Sequence, residues 1–526
     1  MAHRILVIRL GSLGDVILTS PTVLNLKLSF PESRLVFFTK EQFAPIAANF
    51  DGVDEVLSLP AQSGISELYQ TIQTLNKDRF DLIVDLHGNI RSWFTRMAVS
   101  ASTKVVYPKR RLERRLIVKR KQFPSLQTHT IDSYNAPHQQ LGISTPCRRP
   151  ILTTRGLPDV SAGIGAGLPY VVVAPGAAHL NKQWPIERFA EVALRLSRER
   201  ALSVAWVVTS SDKGKSGLES KIPTGGFLEL VDEPIGSLTQ IIAGAHLTIS
   251  NDSGLMHLSS AVGTPVLGLF GPTHPALGFA PRGIWDRMIE VDEPCRPCSL
   301  HGKKACYRSE RFCFTRISPE MVFDEASAML GESDLRSPAL FLDRDGTVIV
   351  DKDYLADPDK LELIPGVATG MAEAQKRGYK LVILSNQSGV ARGLFDLATV
   401  ERVNHRLKEV LACEGVTLDG IYYCPHYAKG SVPEFSIPCT CRKPAPGMAE
   451  QAARELRVDL KRSWVIGDKE DDLNLGRVLG ASSILVRTGH GAKTEQQLNQ
   501  RNVLWHGTAV SSLPEGIKAL LQKGPV

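Results

Sequence analysis

One stretch, Ala339–Thr347, constrains the fold of this chain more than any other. Four apolar residues run directly into Asp343, and Asp345 follows two positions later. The apolar run predicts a buried strand, and open α/β sheets place their ligands at the carboxyl ends of such strands. Side chains two apart on extended backbone point the same way, so one carboxylate can act as a nucleophile while the other transfers protons. Their oxygens also suit Mg²⁺.

Further polar residues follow other predicted strands of the same region. The strand Lys380–Leu384 leads into a serine and an asparagine, and the strand Ser463–Ile466 leads into a third acid. An Arg-Lys pair lies between these two strands. A hydroxyl, cations and three acids at neighbouring strand ends form a site suited to phosphoryl transfer. The residues predicted for it are Asp343, Asp345, Ser385, Asn386, Arg442, Lys443 and Asp468.

Cysteines with metal-ligand spacing form a cluster beside the Arg-Lys pair. Cys424 and His426 are separated by twelve residues from Cys439 and Cys441. Three thiolates and one imidazole make a closed tetrahedral site of the structural zinc type. Such a site would close the intervening loop and fix the two following cations as phosphate ligands.

A second cysteine cluster precedes residue 330. Its members are Cys295, Cys298, Cys306 and Cys313, with His301 between them. This spacing predicts a second thiolate-bound metal, zinc or iron, and it leaves unpaired structural thiols and disulfides open as alternatives.

The carboxy-terminal motifs resemble known phosphatases. The DxDGT pattern resembles motif I of the haloacid dehalogenase superfamily. Across residues 339–490, the stretches FLDRDGTV, SNQSGVARG, DGIYYCPH, CTCRKPAPGM and VIGDKEDD resemble the D-glycero-D-manno-heptose-1,7-bisphosphate 7-phosphatases. The long loop YAKGSVPEFSIP favours this family over the related histidinol-phosphatases, whose loop is shorter.

That resemblance implies a role for each residue of the predicted site. Asp343 would form an aspartyl-phosphate, and Asp345 would be the general acid and base. Mg²⁺ would be held by Asp343, by the backbone carbonyl of Asp345 and by Asp468. Position alone suggests that three further residues reach the sugar hydroxyls or the distal phosphate. These are Asp351, Asp353 and Arg392.

Predicted strands and helices alternate through the amino-terminal half, which indicates parallel sheets covered by helices on both faces. The first strand, residues 4–10, is followed by a glycine-rich turn that carries Asp15. A second strand-helix series begins near Pro169, and polar residues again follow its strands. A helix amino terminus there would hold a diphosphate through its free N–H groups and dipole. The residues predicted for this diphosphate site are Lys182, Asp252, Ser253, Gly254 and His257.

The segments RLGSLGDVILTSP, PGAAHLNKQWP and SNDSGLMHLSSAVGTPVLGLFGPT resemble the ADP-heptose:lipopolysaccharide heptosyltransferases over residues 4–328. Members of that family have two facing Rossmann-like domains of the GT-B kind. The resemblance implies that Asp15 deprotonates the acceptor hydroxyl while the anomeric carbon inverts. The residues of the predicted diphosphate site would hold the ADP-sugar. Ala177 and Ala178 stand where several members carry hydroxyl residues, so backbone N–H groups would bind more of the phosphate.

The net charge of +7 comes in large part from residues 104–122, where nine Lys or Arg residues face one acid, Glu113. This pattern is typical either of a solvated helix face or of a platform for an anionic partner. A Kdo-lipid A acceptor is anionic and membrane-bound, so we expect peripheral contact with the inner membrane. Aromatic residues are not interleaved with the cations, which argues against nucleic acid. No apolar run is long enough to span a bilayer, and the start lacks the features of a signal peptide, so we expect a cytoplasmic protein.

The sequence therefore predicts an α/β chain with a GT-B pair of Rossmann-like domains and a haloacid dehalogenase-like domain with a zinc loop. The predicted boundaries are 1–165 for the acceptor-side domain, 166–330 for the nucleotide-sugar domain, 331–338 for a linker and 339–526 for the phosphatase. The predicted substrates are heptose bisphosphate and ADP-heptose, and the predicted metals are Mg²⁺ and structural Zn²⁺. Two alternatives concern the transferase half, which could use another nucleotide sugar or acceptor, such as a protein, or could be a targeting module without catalysis.

Overall fold

The structure, a computed structural model, describes residues 4–60, 62–123, 128–154, 169–223, 225–501, 503, 505 and 507–522. It divides into an amino-terminal unit, Met1–Asp334, and a carboxy-terminal unit, Leu335–Val526. The described strands form three parallel sheets, two in the first unit and one in the second. The α/β class predicted from the sequence is therefore confirmed. No helix among the described residues is long and apolar enough to cross a membrane.

The first sheet of the amino-terminal unit has the strand order β3-β2-β1-β4-β5. Its strands are β1 (Arg4–Ile8), β2 (Arg34–Lys40), β3 (Glu55–Leu59), β4 (Phe80–Asp85) and β5 (Ala101–Val106). The accompanying helices are α1 (Leu13–Ile17), α2 (Ser20–Ser29), α3 (Ala44–Ala47), α4 (Ile65–Leu75), α5 (Ile90–Ala98), α6 (Arg111–Arg120) and α7 (Thr130–Gln140). The order reverses between β1 and β4, and such a switch point opens a crevice at the carboxyl ends of the strands.

The second sheet has the order β11-β10-β9-β6-β7-β8, with its reversal between β6 and β9. Its strands are β6 (Tyr170–Ala174), β7 (Ser203–Val208), β8 (Phe227–Val231), β9 (Leu247–Asn251), β10 (Val266–Phe270) and β11 (Arg287–Glu290). Its helices are α8 (Ile186–Arg200), α9 (Ile235–Gly244), α10 (Gly254–Ala261), α11 (Phe312–Thr315) and α12 (Pro319–Asp334). All the residues of β6, β7, β9 and β10 are buried, as expected for strands covered on both faces.

The end of α12 corrects the predicted linker. Gly331 and Asp334 belong to the last turn of this helix, so the linker predicted at 331–338 begins inside regular structure. The physical reason is packing, because α12 lies against α8 and its residues Met329 and Leu330 are buried in the core of the second sheet. The division between the two units falls after Asp334.

The carboxy-terminal sheet has the order β14-β13-β12-β15-β16-β17, and it reverses between β12 and β15. Its strands are β12 (Ala339–Leu342), β13 (Lys380–Asn386), β14 (Gly420–Cys424), β15 (Trp464–Gly467), β16 (Ser482–Val486) and β17 (Thr508–Val510). Its helices are α13 (Val367–Lys376), α14 (Ser388–Ala391), α15 (Leu397–Cys413), α16 (Gly447–Leu456), α17 (Glu470–Leu479), α18 (Gly491–Gln500) and α19 (Leu513–Gln522). Strand β13 runs two residues further than predicted, because Ser385 and Asn386 pair with the end of β14.

Candidate active sites

Buried acids flank the point where the carboxy-terminal sheet reverses its strand order. Asp343 follows β12 directly, and Asp468 follows β15. A third acid, Asp472, comes from the first turn of α17. One carboxylate oxygen of each lies within 4.8 Å of the others, and all three residues are buried. The fold thus gathers three acids from separate segments at one switch point.

Lys443 is the cation at the centre of this cluster. Its Nζ donates to Asp343 Oδ1 and to Asp472 Oδ1, both at 2.6 Å, and to the carbonyl of Leu384 at 2.7 Å. Burial alone would lower the pKa of Lys443, but the two carboxylates outweigh it and raise the pKa. Burial has the opposite effect on an acid and raises the pKa of Asp343, yet the charge of Lys443 outweighs burial and holds the pKa of Asp343 below its usual range. Asp343 is therefore an ionised carboxylate.

The remaining negative charge fits a divalent cation. Burial and the nearby charge of Asp343 raise the pKa of Asp468 to about 7. Burial also raises the pKa of Asp472 to about 6, despite the opposing effect of Lys443. Asp468 Oδ2 accepts from the backbone N–H of His490 at 2.7 Å, whereas its buried Oδ1 has no hydrogen-bond partner among the described residues. Hard oxygens at such spacing, one of them unsatisfied, are suited to Mg²⁺.

Two glycines make room for the Asp468 carboxylate. A Cβ on Gly346 or on Gly489 would stand 2.4 Å from Asp468 Oδ2. Both glycines have positive φ angles, +84° and +54°, which side-chain-bearing residues rarely adopt. The glycine of DRDGT, Gly346, therefore allows the Asp468 carboxylate to approach closely.

Asp345 occupies a different position from the three clustered acids. Its carboxylate accepts from Arg344 Nε at 3.1 Å and from Gln387 Nε2 at 3.0 Å. It does not belong to the acid group within 4.8 Å, which contains Asp472 in its place. The side chain of Asp345 is 19% exposed, against 6% for Asp343, so it is the more accessible of the two motif acids. Gln387 Nε2 also donates to Ser385 Oγ at 2.6 Å, which links the predicted hydroxyl to the same network.

Asn386 fixes the backbone of the central cation. Its amide accepts from the Lys443 N–H at 3.0 Å and donates to the Lys443 carbonyl at 3.2 Å. Beyond it, the guanidinium groups of Arg392 and Arg442 lie 4.4 and 5.2 Å from the centroid of the Tyr427 ring. The two arginines thus contact the same aromatic ring.

Asp351 also lies beside the acid cluster. Its carboxylate is 3.2 Å from His490 Nε2 and 3.9 Å from Lys469 Nζ. The neighbouring Asp353 has a φ of +46°, an uncommon backbone conformation, and its N–H donates to Asp351 Oδ1 at 3.1 Å. Both residues therefore belong to the turn that follows the motif.

The four predicted zinc ligands converge. Cys424 Sγ lies 3.6 Å from Cys439 Sγ and 3.1 Å from Cys441 Sγ, and His426 Nδ1 lies 3.3 Å from Cys441 Sγ. All four ligand atoms are within 4.8 Å of one another. A tetrahedron with Zn–S bonds of about 2.3 Å has edges of about 3.8 Å, so the sulfurs lie at or somewhat inside the spacing that such a site needs. The cluster fits a tetrahedrally bound metal.

The second cysteine cluster does not form such a group. Among the described residues, just two sets of three or more His, Cys, Asp or Glu ligand atoms lie within 4.8 Å of one another, and both belong to the carboxy-terminal unit. Cys298 contacts Cys295, but Cys306 Sγ lies 3.6 Å from the Glu310 carbonyl. The predicted ligand set Cys295, Cys298, Cys306 and Cys313 is therefore not assembled, because closeness along the chain does not aim the sulfurs at one point.

The amino-terminal unit contains a cleft of about 1390 Å³ lined by residues from both of its sheets. Asp15 lies in this cleft and is held by three groups. Its Oδ2 is 2.7 Å from Arg9 and accepts from Ser12 Oγ at 3.1 Å, while Oδ1 accepts from the Tyr134 hydroxyl at 2.9 Å. Burial raises the pKa of Asp15, but the Arg9 guanidinium outweighs it and lowers the pKa. Asp15 is therefore a fixed carboxylate at neutral pH.

Close helix packing brings the predicted diphosphate-binding residues to Asp15. Helix α1 packs against α10, and a Cβ on Gly14 would stand 2.8 Å from His257 Cδ2. A Cβ on Gly254 would stand 2.9 Å from Leu13. The glycines of both turns are thus required where the two helices touch. Burial lowers the pKa of His257 to about 4, so its ring is neutral, and Nδ1 has no hydrogen-bond partner in the described part of the chain.

Lys182 and Asp252 form an ion pair in the same cleft. Lys182 Nζ lies 2.7 Å from Asp252 Oδ2, which also accepts from Thr273 Oγ1 at 2.7 Å. Asp252 therefore positions the ammonium at the cleft wall. Ser253, at the start of α10, and the two alanines in the turn after β6 also line the cleft.

Part of the predicted basic platform reaches the cleft. Lys109, Arg111 and Arg114 line it, and Arg114 also lies 4.9 Å from the ring centroid of Phe279. Arg110 instead pairs with Glu113 and donates to the Thr128 carbonyl at 2.7 Å. Helix α6 thus presents cations both to the cleft and to the surface.

Sequence reasoning missed three residues of these sites, namely Arg9, Tyr134 and Asp472. Arg9 interrupts the apolar run of the first predicted strand, and a charged residue at such a position could have indicated a functional role. Asp472 lies four residues after Asp468 in the acidic run KEDD, which equally favours a helix start. Tyr134 has no local signal, because α7 is far from Asp15 in the chain.

Comparison with known proteins agrees with both predicted resemblances. The model of "Glycosyltransferase family 9 (heptosyltransferase)" matches residues 68–306, and a "HAD-hydrolase-like" model matches residues 440–508. D-glycero-beta-D-manno-heptose-1,7-bisphosphate 7-phosphatase of Escherichia coli K12 is 43% identical over 182 residues, which are 34% of this chain and 94% of that protein. The enzyme of the same name from Yersinia pestis is 42% identical over 183 residues, or 35% and 96%.

The fold of the amino-terminal unit also has a solved counterpart. The glycosyl transferase family 9 structure from Veillonella parvula superposes with a TM-score of 0.50 at 22% identity, covering 63% of this chain and 97% of that one. At this identity the likeness concerns the fold.

Proposed function

Because the chain belongs, through its carboxy-terminal unit, to the D-glycero-beta-D-manno-heptose-1,7-bisphosphate 7-phosphatase family, we propose that this unit removes the 7-phosphate of a heptose 1,7-bisphosphate. We further propose that the amino-terminal unit transfers heptose from ADP-heptose to an anionic acceptor of the lipopolysaccharide core. The observation that carries the first proposal is the buried group of Asp343, Lys443, Asp468 and Asp472 at the switch point of the sheet.

The proposed phosphatase reaction assigns a role to each of the two motif acids. The Asp343 carboxylate attacks phosphorus, the P–O bond to carbon 7 breaks, and the leaving oxygen takes a proton from the Asp345 carboxyl group. Water then attacks the aspartyl-phosphate, Asp345 accepts a proton from that water, and inorganic phosphate leaves with Asp343 restored. Gln387 holds Asp345 in place, and Lys443 keeps Asp343 ionised and offsets charge on the transferring group.

The acid cluster is proposed to hold Mg²⁺ through Asp343 and Asp468, with the backbone carbonyl of Asp345 as predicted and with Asp472 nearby. When bound, the ion supplies positive charge to the phosphoryl oxygens. The geometry that supports this assignment is the unsatisfied Oδ1 of Asp468 within the three-acid group.

Zinc is proposed for the Cys424, His426, Cys439 and Cys441 cluster, in a structural role. A closed set of three thiolates and one imidazole leaves no position open for substrate. The cluster closes the loop that carries Tyr427, and Arg442 donates from this region to the His426 carbonyl at 3.3 Å. The site would therefore hold Arg442, and through Tyr427 also Arg392, where they can recognise the distal phosphate.

Transfer is proposed to use Asp15 as the base. Its carboxylate takes the proton of the acceptor hydroxyl, the acceptor oxygen attacks the anomeric carbon, and the bond to the ADP oxygen breaks with inversion. Lys182 and the first N–H groups of α10 stabilise the leaving diphosphate. The support for this reading is that Asp15, Lys182 and the start of α10 line one cleft.

The test uses the purified full chain. Each anomer of heptose 1,7-bisphosphate is supplied with Mg²⁺, and ³¹P NMR follows which phosphate is released. We expect loss of the 7-phosphate and a faster reaction with the β-anomer, as the names of the relatives indicate. ADP-heptose and Kdo-lipid A are then supplied in a second reaction analysed by mass spectrometry. Release of the anomeric phosphate, or an acceptor without added heptose, would contradict the respective half.

A further inference from the structure

Helix α5 of the amino-terminal unit buries polar side chains and exposes apolar ones, which is the reverse of the usual arrangement. A surface helix normally buries its apolar stripe and exposes polar residues. In α5 the polar Ser92 and Thr95 are fully buried. The exposed apolar residues are Ile90 (84% exposed), Trp93 (50%), Phe94 (42%) and Met97 (58%). Their spacing of three and four places all four on one face of the helix.

The buried polar side chains are satisfied within the helix itself. Ser92 Oγ accepts from the Asn89 N–H at 3.0 Å, and Asn89 Oδ1 accepts from the Ser92 N–H at 2.9 Å, which caps the helix start. Thr95 Oγ1 donates to the Arg91 carbonyl at 3.0 Å. Burying the polar face therefore leaves no side-chain donor or acceptor of Ser92 or Thr95 unsatisfied.

The neighbouring helix also exposes apolar residues. Helix α4 packs beside α5, and it exposes Ile65 (84%) and Tyr69 (55%). An exposed apolar face such as that of α5 marks an interaction site.

Cations border the apolar face at both ends. At the carboxyl end of α5, Lys104 Nζ donates to the Met97 carbonyl at 3.4 Å. At the amino end, Arg91 is exposed, and the Lys109 stem covers Gly88, where an added Cβ would stand 2.9 Å from Lys109 Cε. Two residues after Lys109, α6 begins with the exposed Arg111.

The acids of the adjoining helices α4 and α6 are already engaged. Glu67 of α4 accepts from the Gly64 N–H at 2.8 Å, and Glu113 of α6 pairs with Arg110. Glu67 keeps its charge, but the four cations named above outnumber it, so the border of the apolar face is net positive.

We propose that α5 and its bordering cations are the surface by which this chain binds an anionic lipid bilayer. The four apolar side chains enter the acyl boundary, and the cations contact the headgroups. The inference deepens the proposed transfer reaction, because a lipid-linked acceptor lies in such a bilayer and Lys109 and Arg111 line the cleft that contains Asp15.

Charge favours a bilayer over a second copy of the chain. In a two-fold contact each residue patch meets itself, so Arg91 and Lys104 would face like charges. Anionic headgroups instead neutralise the cations while the acyl chains cover the aromatic residues. The surface and the bilayer are then complementary both in charge and in apolar contact.

The test measures vesicle binding by the full chain. We expect binding to phosphatidylglycerol vesicles, little binding to phosphatidylcholine vesicles, and weakening as salt increases. Phe94→Ser/Met97→Ser should lower the partition coefficient at least about tenfold, since two side chains lose their apolar burial. The matched control, Met288→Ser/Met321→Ser, alters two methionines of similar exposure, 42% and 43%, and should bind like the native chain. Thermal unfolding confirms that both variants fold.

Brominated lipid gives a second, independent readout. Trp93 fluorescence should be quenched by bromine on the acyl chains, and Trp93→Phe should remove that quenching while the chain still binds. Unquenched Trp93 on bound vesicles would overturn the proposal. So would equal binding by Phe94→Ser/Met97→Ser, or absence of binding together with a dimer that this variant dissociates.

A soluble acceptor separates this inference from the proposed function. Phe94→Ser/Met97→Ser should transfer heptose normally to a deacylated acceptor but poorly to one embedded in vesicles. If the native chain transfers to neither, the proposed transfer reaction fails, while the vesicle and quenching results still decide the role of α5.

Discussion

Replacement of Lys443 by methionine tests whether the acid cluster is organised around this buried cation. Methionine keeps most of the stem but removes two contacts of 2.6 Å, to Asp343 and Asp472. With an effective dielectric constant of about 20, each contact is worth about 6 kcal/mol. The net loss is smaller than the sum of the two contacts, because the variant no longer desolvates an ammonium group and its unpaired carboxylates can take up protons. Removal of one partner of a buried ion pair costs about 3–5 kcal/mol, and we expect a loss of that size in the free energy of unfolding.

Lys469 supplies the matched control. Its Nζ lies 3.8 Å from Asp468 and 3.9 Å from Asp351, but its side chain is 43% exposed against 3% for Lys443. Exposed pairs contribute about 0–1 kcal/mol, so Lys469→Met should leave stability nearly unchanged. Both lysines lie near the acid cluster, but Lys469 is more exposed than Lys443 and its contacts with acids are longer.

Hydrogen exchange in the full chain provides the assay, because it reports the opening free energy of each segment separately. Peptides from β12 and β15 are followed at pH 7.5 in buffer freed of divalent cations by a resin, so that no added chelator removes zinc. Mg²⁺ should restore part of the protection in Lys443→Met. Protection in that variant within about 1 kcal/mol of the native chain would refute the argument that a buried ion pair holds the cluster together.

Three further predictions concern the two reactions and the zinc loop. Asp343→Asn should reduce phosphate release by at least about 10⁴-fold without affecting heptose transfer, and Asp15→Asn should do the reverse; assays of both activities on both variants would expose any cross-effect. Arg9→Met should raise the pKa of Asp15, because burial then acts without its opposing charge. As the pH is lowered, the kcat/KM for transfer should accordingly begin to fall at a higher pH in the variant than in the native chain, and identical acid limbs in the two chains would contradict this role of Arg9. Cys439→Ser should lose one zinc equivalent by elemental analysis and about 10–100-fold in phosphatase activity, whereas the exposed Cys413→Ser should lose neither; a Cys439→Ser chain with full zinc would remove that cysteine from the ligand set.

The strand-end residues could be predicted from the sequence because parallel sheets bring the carboxyl ends of their strands together. Asp343 and Asp468 each follow an apolar run, and the structure places them on adjacent strands. The zinc ligands were predictable for a related reason, since two short pairs joined by one loop can meet without help from the rest of the fold. Their four ligand atoms do converge.

Residues contributed by helices were not predictable in the same way. Asp472 reaches the cluster from the first turn of α17, and Tyr134 reaches Asp15 from α7, so both depend on how helices pack. The cysteines at 295–313 are close along the chain, yet no three of their sulfurs lie within 4.8 Å of one another in the described structure, so spacing alone does not determine how closely they approach. In α5, apolar residues at helical spacing would ordinarily indicate a buried face, yet the structure turns that face outward.

The two proposed reactions act on the same sugar but do not share an intermediate. Removal of the 7-phosphate leaves heptose with its anomeric phosphate, whereas the cleft around Asp15 and Lys182 would consume heptose attached to a nucleotide diphosphate. A nucleotidyl transfer must come between them, and neither the acid cluster nor the cleft supplies it. Direct transfer of the product from one site to the other is therefore excluded on chemical grounds. Joining the units instead fixes their ratio at one to one, and it ties the phosphatase to whatever surface the amino-terminal unit binds. A bilayer bound by α5 would thus recruit an early and a late step of heptose use to the same place.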